Sequence, residues 1–250
     1  MPSSAVHNGL WNGFDGGTGR YRPPMLPPRT RTLIFAVPVA ASLALAAPAM
    51  AAGESKGDKA ILKAGVITKS DVPAEWTSKR GKSGGDALKG LKECKKINTA
   101  VAAAKQDDPR ARSREFADPV PENATMAENA VYAFESAKRA GKFVAAYNGS
   151  AATACFDRLA TEVARSRPTA GPPTVSPITD LQGVGDEALG YEIAATFTQN
   201  GGNATLYIDF VVVRVGRAVL GFGFTNVGAR IPQGPDIVNA VVQRVAAVEA

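Results

Sequence analysis

Apolar residues recur along this chain with two periods, and the helical one is clearest between residues 140 and 163. Ala140, Phe143, Val144, Tyr147, Ala151, Ala154, Cys155, Leu159 and Val163 follow one another at helical spacing, which gathers them on one helical face. Gly149-Ser150 can divide the stretch into two helices, and Pro168 with Gly171-Pro172-Pro173 ends it, because proline brings no backbone donor. Leu88, Leu91, Cys94, Ile97 and Val101 predict an earlier helix, broken near Asn98 and stopped by Asp107-Asp108-Pro109. Ile237, Val241, Val242, Val245 and Val248 predict a last one.

The second period is two. Leu189, Tyr191, Ile193, Ala195 and Phe197 alternate with Glu192, Thr196 and Thr198, the pattern of a half-buried strand. Asn200-Gly201-Gly202-Asn203 turns the chain into Leu206, Ile208, Phe210 and Val212, and Val215-Gly216-Arg217 turns it into Leu220, Phe222 and Phe224. Two further strands are expected at Ala111 to Ala117 and Ala130 to Phe134, and a loop or edge strand before Thr179. Near the start of this region lie the short apolar run Ile61 to Val66, a turn at Lys69-Ser70-Asp71-Val72-Pro73 capped by Ser70 or Asp71, and Trp76. The class these elements define is α+β: an antiparallel β-sheet with helices packed on one face, in a single domain.

The N-terminal pattern is different. Arg29-Thr30-Arg31-Thr32 precedes the apolar run Leu33 to Ala47, and Ala49-Met50-Ala51 supplies small residues, the order of a secretory signal peptide. The expected organisation is a non-native extension at 1–24, a signal peptide at 25–51 cleaved after Ala51, a linker at 52–60 and the folded domain at 61–250. An uncleaved membrane anchor is the alternative, since no charge appears from Leu33 through Ala52. After cleavage no stable membrane insertion is expected, so the product is secreted, extracellular or wall-associated.

Charge and composition narrow the chemistry. The net charge of +6 halves once Arg20, Arg22, Arg29, Arg31 and Asp15 are set aside. Lys89, Lys92, Lys95 and Lys96, with Arg110, Arg112 and Arg114, are interspersed with Glu93, Asp107 and Asp108, so nucleic acid is not an expected partner. The one histidine of the sequence is His7, ahead of the hydrophobic run, which excludes His-based triads and His-ligated metal sites from the mature region. No catalytic residue, metal or cofactor is expected. Gly183-Val184-Gly185-Asp186-Glu187 leads into a strand pattern rather than a helix and is a turn, not a phosphate loop. Cys94 and Cys155 each fall on the apolar side of a helix and should pair in an oxidising compartment, two buried thiols being the alternative. Trp76 is expected to seal the core, with ligand stacking as its other role.

The order Ile67-Thr68-Lys69-Ser70-Asp71-Val72-Pro73-Ala74-Glu75-Trp76, then Cys94 before Ala130-Val131-Tyr132-Ala133-Phe134, then Cys155, Gly185-Asp186-Glu187-Ala188 and Val212-Val213-Arg214-Val215-Gly216 resembles the extracellular sensor-domain family named after the actinobacterial kinase PknH. That resemblance, over about residues 61 to 250, implies a stand-alone exported, non-catalytic sensor-like domain. Its cleft would bind a small molecule or a cell-envelope component. The chain departs from the family's namesake in lacking a kinase domain and a second cysteine pair. A secreted protein-interaction module, as an inhibitor or wall-associated structural factor, is the alternative. The ligand and the oligomeric state stay open. With Leu189, Tyr191, Ile193, Leu206, Ile208, Phe210, Leu220 and Phe222 assigned to the packed face, the opposite face offers Glu192, Thr196, Tyr207 and Asp209 beside Val211, and Gly221 and Gly223 leave room there. These four, with Trp76, are the expected ligand-binding residues.

Overall fold

The computed structural model describes residues 55–80, 88–120, 124–165, 169–199 and 202–250, so the extension and signal peptide expected at 1–51 lie outside the described residues. Its elements are α1 (Lys56–Ala64), β1 (Thr77–Lys79), α2 (Lys95–Asp107), β2 (Arg110–Arg112), β3 (Glu115–Ala117), β4 (Met126–Ala133), α3 (Ala137–Val144), α4 (Ser150–Arg165), β5 (Thr174–Pro177), β6 (Glu187–Gln199), β7 (Gly202–Val215), β8 (Ala218–Val227) and α5 (Gly234–Glu249). Short 3-10 turns precede β1 at Lys69–Asp71 and α2 at Lys92–Cys94, and join α3 to α4 at Ala145–Tyr147.

All strands belong to one antiparallel sheet in the order β1-β3-β4-β8-β7-β6-β5. β2 pairs with one half of the edge of β4 that β3 shares, where Ser113 and Asn129 exchange hydrogen bonds at 2.9 Å. The α+β class follows from this sheet and its five α-helices. Helix α1 begins inside the stretch expected to be a linker, because Ser55 caps it. The Ser55 hydroxyl accepts from the Asp58 amide at 3.0 Å and the Asp58 carboxylate accepts from the Ser55 amide at 2.9 Å, a capping box that the Ser-x-x-Asp spacing encodes. Helix α2 starts later than the apolar repeat from Leu88 suggested and runs through Asn98 without a break.

Helices cover both faces of the sheet, and this corrects the expectation of one covered face. On the first face α2, α3 and α4 close a core around Tyr132, Phe143, Phe156, Ile193, Ile208 and Phe210. On the second, α1 and α5 close another around Val131, Val213, Leu220, Phe222, Ile237 and Val241. Full burial of side chains like these contributes about 1.5–3 kcal/mol each. The alternation that sets a wet face against a dry one is genuine on β6, near the sheet edge. It does not extend inward, where all eight residues of β4 are buried and Val211, Val212 and Val213 are buried in succession. Register accounts for the misassigned strand: Leu220 stands opposite Val213 and Phe222 opposite Val211, so both side chains meet α5 and not the face of Ile208 and Phe210.

Gly185 lies in the tight turn expected before β6. It has φ of +65°, and a Cβ there would stand 2.6 Å from the Arg214 carbonyl oxygen, so no other residue fits without strain. Asp186 then accepts from the Gly216 amide at 2.7 Å and from Arg214 at 3.0 Å, clasping this turn to the β7–β8 hairpin.

Candidate functional site

Glu192, Thr196, Tyr207 and Asp209 do share one face, as the period predicts, and it is the face that α5 covers further along the sheet, at Val211 and Val213. Asp209 is 6% exposed, and Arg230, in the connection between β8 and α5, donates to it at 2.9 Å and lies 3.2 Å from Glu192 and 3.5 Å from Asp180. Burial pushes the Asp209 carboxyl above the usual carboxylate range, against the opposing pull of Arg230. The hydroxyls of Thr196 and Thr205 bond to each other at 2.9 Å. Trp76 is 5% exposed in the core closed by α1 and α5. Of the expected ligand residues, Asp209 and Trp76 are therefore buried, while Glu192, Thr196 and Tyr207 stay half-buried.

The room left by the two glycines opens on the other face. Gly221 stands opposite Ala130 and Val212, and Gly223 opposite Glu128 and Phe210, so at these two positions β8 offers no side chain to that face. A cavity of about 340 Å³ lies there. Its sheet side is Phe210, Val211, Val212, Gly221 and Phe222, and its wall is Tyr147 and Phe156. Helix α2 closes it with Asn98, Val101, Ala102 and Lys105, residues at i, i+3, i+4 and i+7 that share one helical face. Leu88, Lys89 and Gly90 complete the lining.

Each wall is fixed by its neighbours. Asn98 donates to the Leu88 carbonyl at 2.8 Å, tying the turn before α2 to the helix. Tyr191 donates to the Tyr147 carbonyl at 3.1 Å and stacks on Phe156 with ring centroids 4.3 Å apart. Burial pushes the Tyr147 phenol far above its ordinary value, so it remains an O–H donor. Helix α2 is moored at both ends: a disulfide joins Cys94 to Cys155 of α4, and Arg139 of α3 reaches Asp107 at 2.8 Å and Asp108 at 3.1 Å.

One further group borders this layer. Glu128, 4% exposed, is paired with Arg112, and its Oε1 has no hydrogen-bond partner. Burial holds its carboxyl above the usual range, though Arg112 acts the other way.

The cavity escaped the sequence-based reading because two assignments had to be right together. Asn98 starts a second stripe on α2 rather than breaking it, and the register of β8 turns its alternate glycines to the face of Phe210 and Val212. A strand reading Leu-Gly-Phe-Gly-Phe was the available signal, since each glycine leaves a gap on the face its neighbours do not use.

Among the described residues no helix is long and apolar enough to cross a membrane. Among solved structures, the extracellular domain of PknH from Mycobacterium tuberculosis is similar to this chain at 9% sequence identity and a TM-score of 0.31, over 63% of this chain and 76% of that one. No protein-family model matches the chain, and no curated protein matches it.

Proposed function

We propose that this protein is an exported, non-catalytic, sensor-like domain that binds a small, largely apolar molecule in the cavity between α2 and the sheet. The observation that carries this reading is the cavity itself, a partly open concavity walled by aromatic and aliphatic side chains with a few polar groups at its border, the usual form of a small-molecule site. The Cys94–Cys155 disulfide supports an oxidising destination, as does the basic and apolar order of Arg29 to Ala47. The interaction-module alternative is less well served: among the described residues only Val120 and Val248 are large hydrophobics left exposed, which makes no apolar docking patch.

The test is native mass spectrometry of protein recovered from the medium of its own host. A bound molecule that departs on denaturation is expected, and Ala102→Phe, which places a ring in the cavity from an exposed helix position, should abolish it while leaving the unfolding transition in place. A ligand retained undiminished by Ala102→Phe would move the site elsewhere. Protein that emerges without any adduct and takes up none when exposed to its host's lipid and metabolite extracts would overturn the binding function.

A further inference from the structure

We infer that the cavity selects an apolar molecule bearing a carbonyl oxygen, its body lying against Phe156, Phe210 and Val212 and its oxygen accepting a hydrogen bond from the Tyr147 hydroxyl. This inference rests on the cavity-binding reading above and adds the class of ligand.

Tyr147 is a hydrogen-bond donor held in a fixed place. It lies in the 3-10 turn Ala145–Tyr147 between α3 and α4 and is only 5% exposed, yet it lines the cavity. Its ring packs on Phe143 with centroids 5.6 Å apart, and its own carbonyl accepts from Tyr191 at 3.1 Å, so ring and backbone are both anchored. Among the described residues its hydroxyl bonds to no protein group, and it is not one of the polar atoms sealed inside the fold without a partner. What it meets is therefore the cavity. Burial keeps the phenol protonated, so it can always donate. The other polar side chains of the lining are already engaged: Asn98 gives its amino group to the Leu88 carbonyl, and Lys89 and Lys105 have interactions of their own. Water can serve a phenol in an empty cavity, and a ligand that expels that water must replace its bond or leave a buried donor unpaired. A carbonyl oxygen replaces it without bringing a proton that needs an acceptor. A ligand hydroxyl does bring one, and no carboxylate lines the cavity to receive it.

Two probes of one shape isolate the oxygen: 2-acetylnaphthalene, and 2-isopropenylnaphthalene, in which a methylene stands where the ketone has its oxygen. Both are titrated calorimetrically into the natural protein and into Tyr147→Phe. That change removes an oxygen bonded to no protein group, so the unfolding midpoint should not fall. The ketone should bind the variant about tenfold more weakly, whereas the hydrocarbon should not. The carbonyl stretch of the bound ketone should lie at lower frequency in the natural protein than in Tyr147→Phe, the mark of an accepted hydrogen bond. Tyr207→Phe, which removes a phenol from the opposite face of the sheet, should leave both affinities unchanged. The alcohol 1-(2-naphthyl)ethanol should bind the natural protein more weakly than the ketone. Equal effects of Tyr147→Phe on ketone and hydrocarbon would overturn the carbonyl inference while the cavity reading stands, and so would an alcohol that matches the ketone. Probes that bind Ala102→Phe as well as they bind the natural protein would sit elsewhere, and would overturn it too. Failure of both probes to bind, when Ala102→Phe still blocks a ligand from the host, would show that the cavity takes another class of molecule, and would overturn this inference alone.

Discussion

Arg244 of α5 and Asn129 of β4, which accepts from the Ile67 amide and donates to the Gly65 carbonyl, together hold the segment between α1 and β1. The Arg244 guanidinium donates to the Ala64 carbonyl at 3.2 Å, the Val66 carbonyl at 2.9 Å and the Asp71 carboxylate at 3.0 Å, and Asp71 in turn accepts from the Thr68 amide at 2.7 Å. Removing a buried charge's partner is costly, so Arg244→Ala should destabilise by about 3 kcal/mol, read as a lower denaturant midpoint, and Arg244→Lys should recover only part because an ammonium cannot fork. Burial raises the Asp71 carboxyl, but the bonds from Arg244 and Thr68 outweigh it and hold the group below the ordinary range. Its contribution is therefore complete at neutral pH and lost as the solution is acidified through its folded pKa. Glu128 has the opposite sign, being raised by burial: the folded state binds its proton more readily than the unfolded chain does. Stability should thus rise as pH falls from neutral toward the 4.5 of an ordinary glutamate. In Glu128→Gln that rise should be flattened, which thermal unfolding at a series of pH values measures directly. A rise of unchanged size in the variant would assign it to Asp108 or Asp209, also raised by burial.

Among the elements, α2 depends most on links at its two ends. The Cys94–Cys155 bridge spans a sequence separation of 61 residues, and closing a loop of that size restrains the unfolded chain by roughly 4 kcal/mol at most. Reduction should lower the thermal midpoint, and it should also speed amide exchange in α2 more than in α4, because α2 turns four residues to the cavity and α4 only Phe156. Equal exchange in both helices would make the bridge a general staple rather than a mooring. The elements differ in how openly their sequences announce them. α4, β6 and α5 were readable because each has one wet and one dry side, so burial imprints a period on the sequence. β4, β7 and β8 are enclosed on both sides, and a strand such as Val211-Val212-Val213 then carries no period from which a facing can be read. The capping box of α1 was readable in principle, but Ser55 and Asp58 lie in a polar stretch that composition alone marks as linker. The disulfide was foreseen from helix faces, whereas the cavity needed the register of Gly221 against Val212, a non-local fact.

In the whole molecule, the central pairing of the sheet joins distant parts of the chain. Strand β4, with every residue buried, is flanked on one side by β2 and β3, which precede it closely, and on the other by β8, which pairs Met126 with Thr225 and Ala133 with Ala218. A chain emerging from its N-terminus exposes β4 long before β8 exists, and the helices between them cannot pair its open edge. Sheets built from such distant partners form slowly and present an adhesive edge while they wait. Cys94 and Cys155 both emerge before β8, so their bridge can shut a loop around β4 early. The same covalent link that moors α2 in the finished protein would then act, once the chain reaches an oxidising space, as a guard, keeping a sticky strand enclosed by its own neighbours until its last partner arrives.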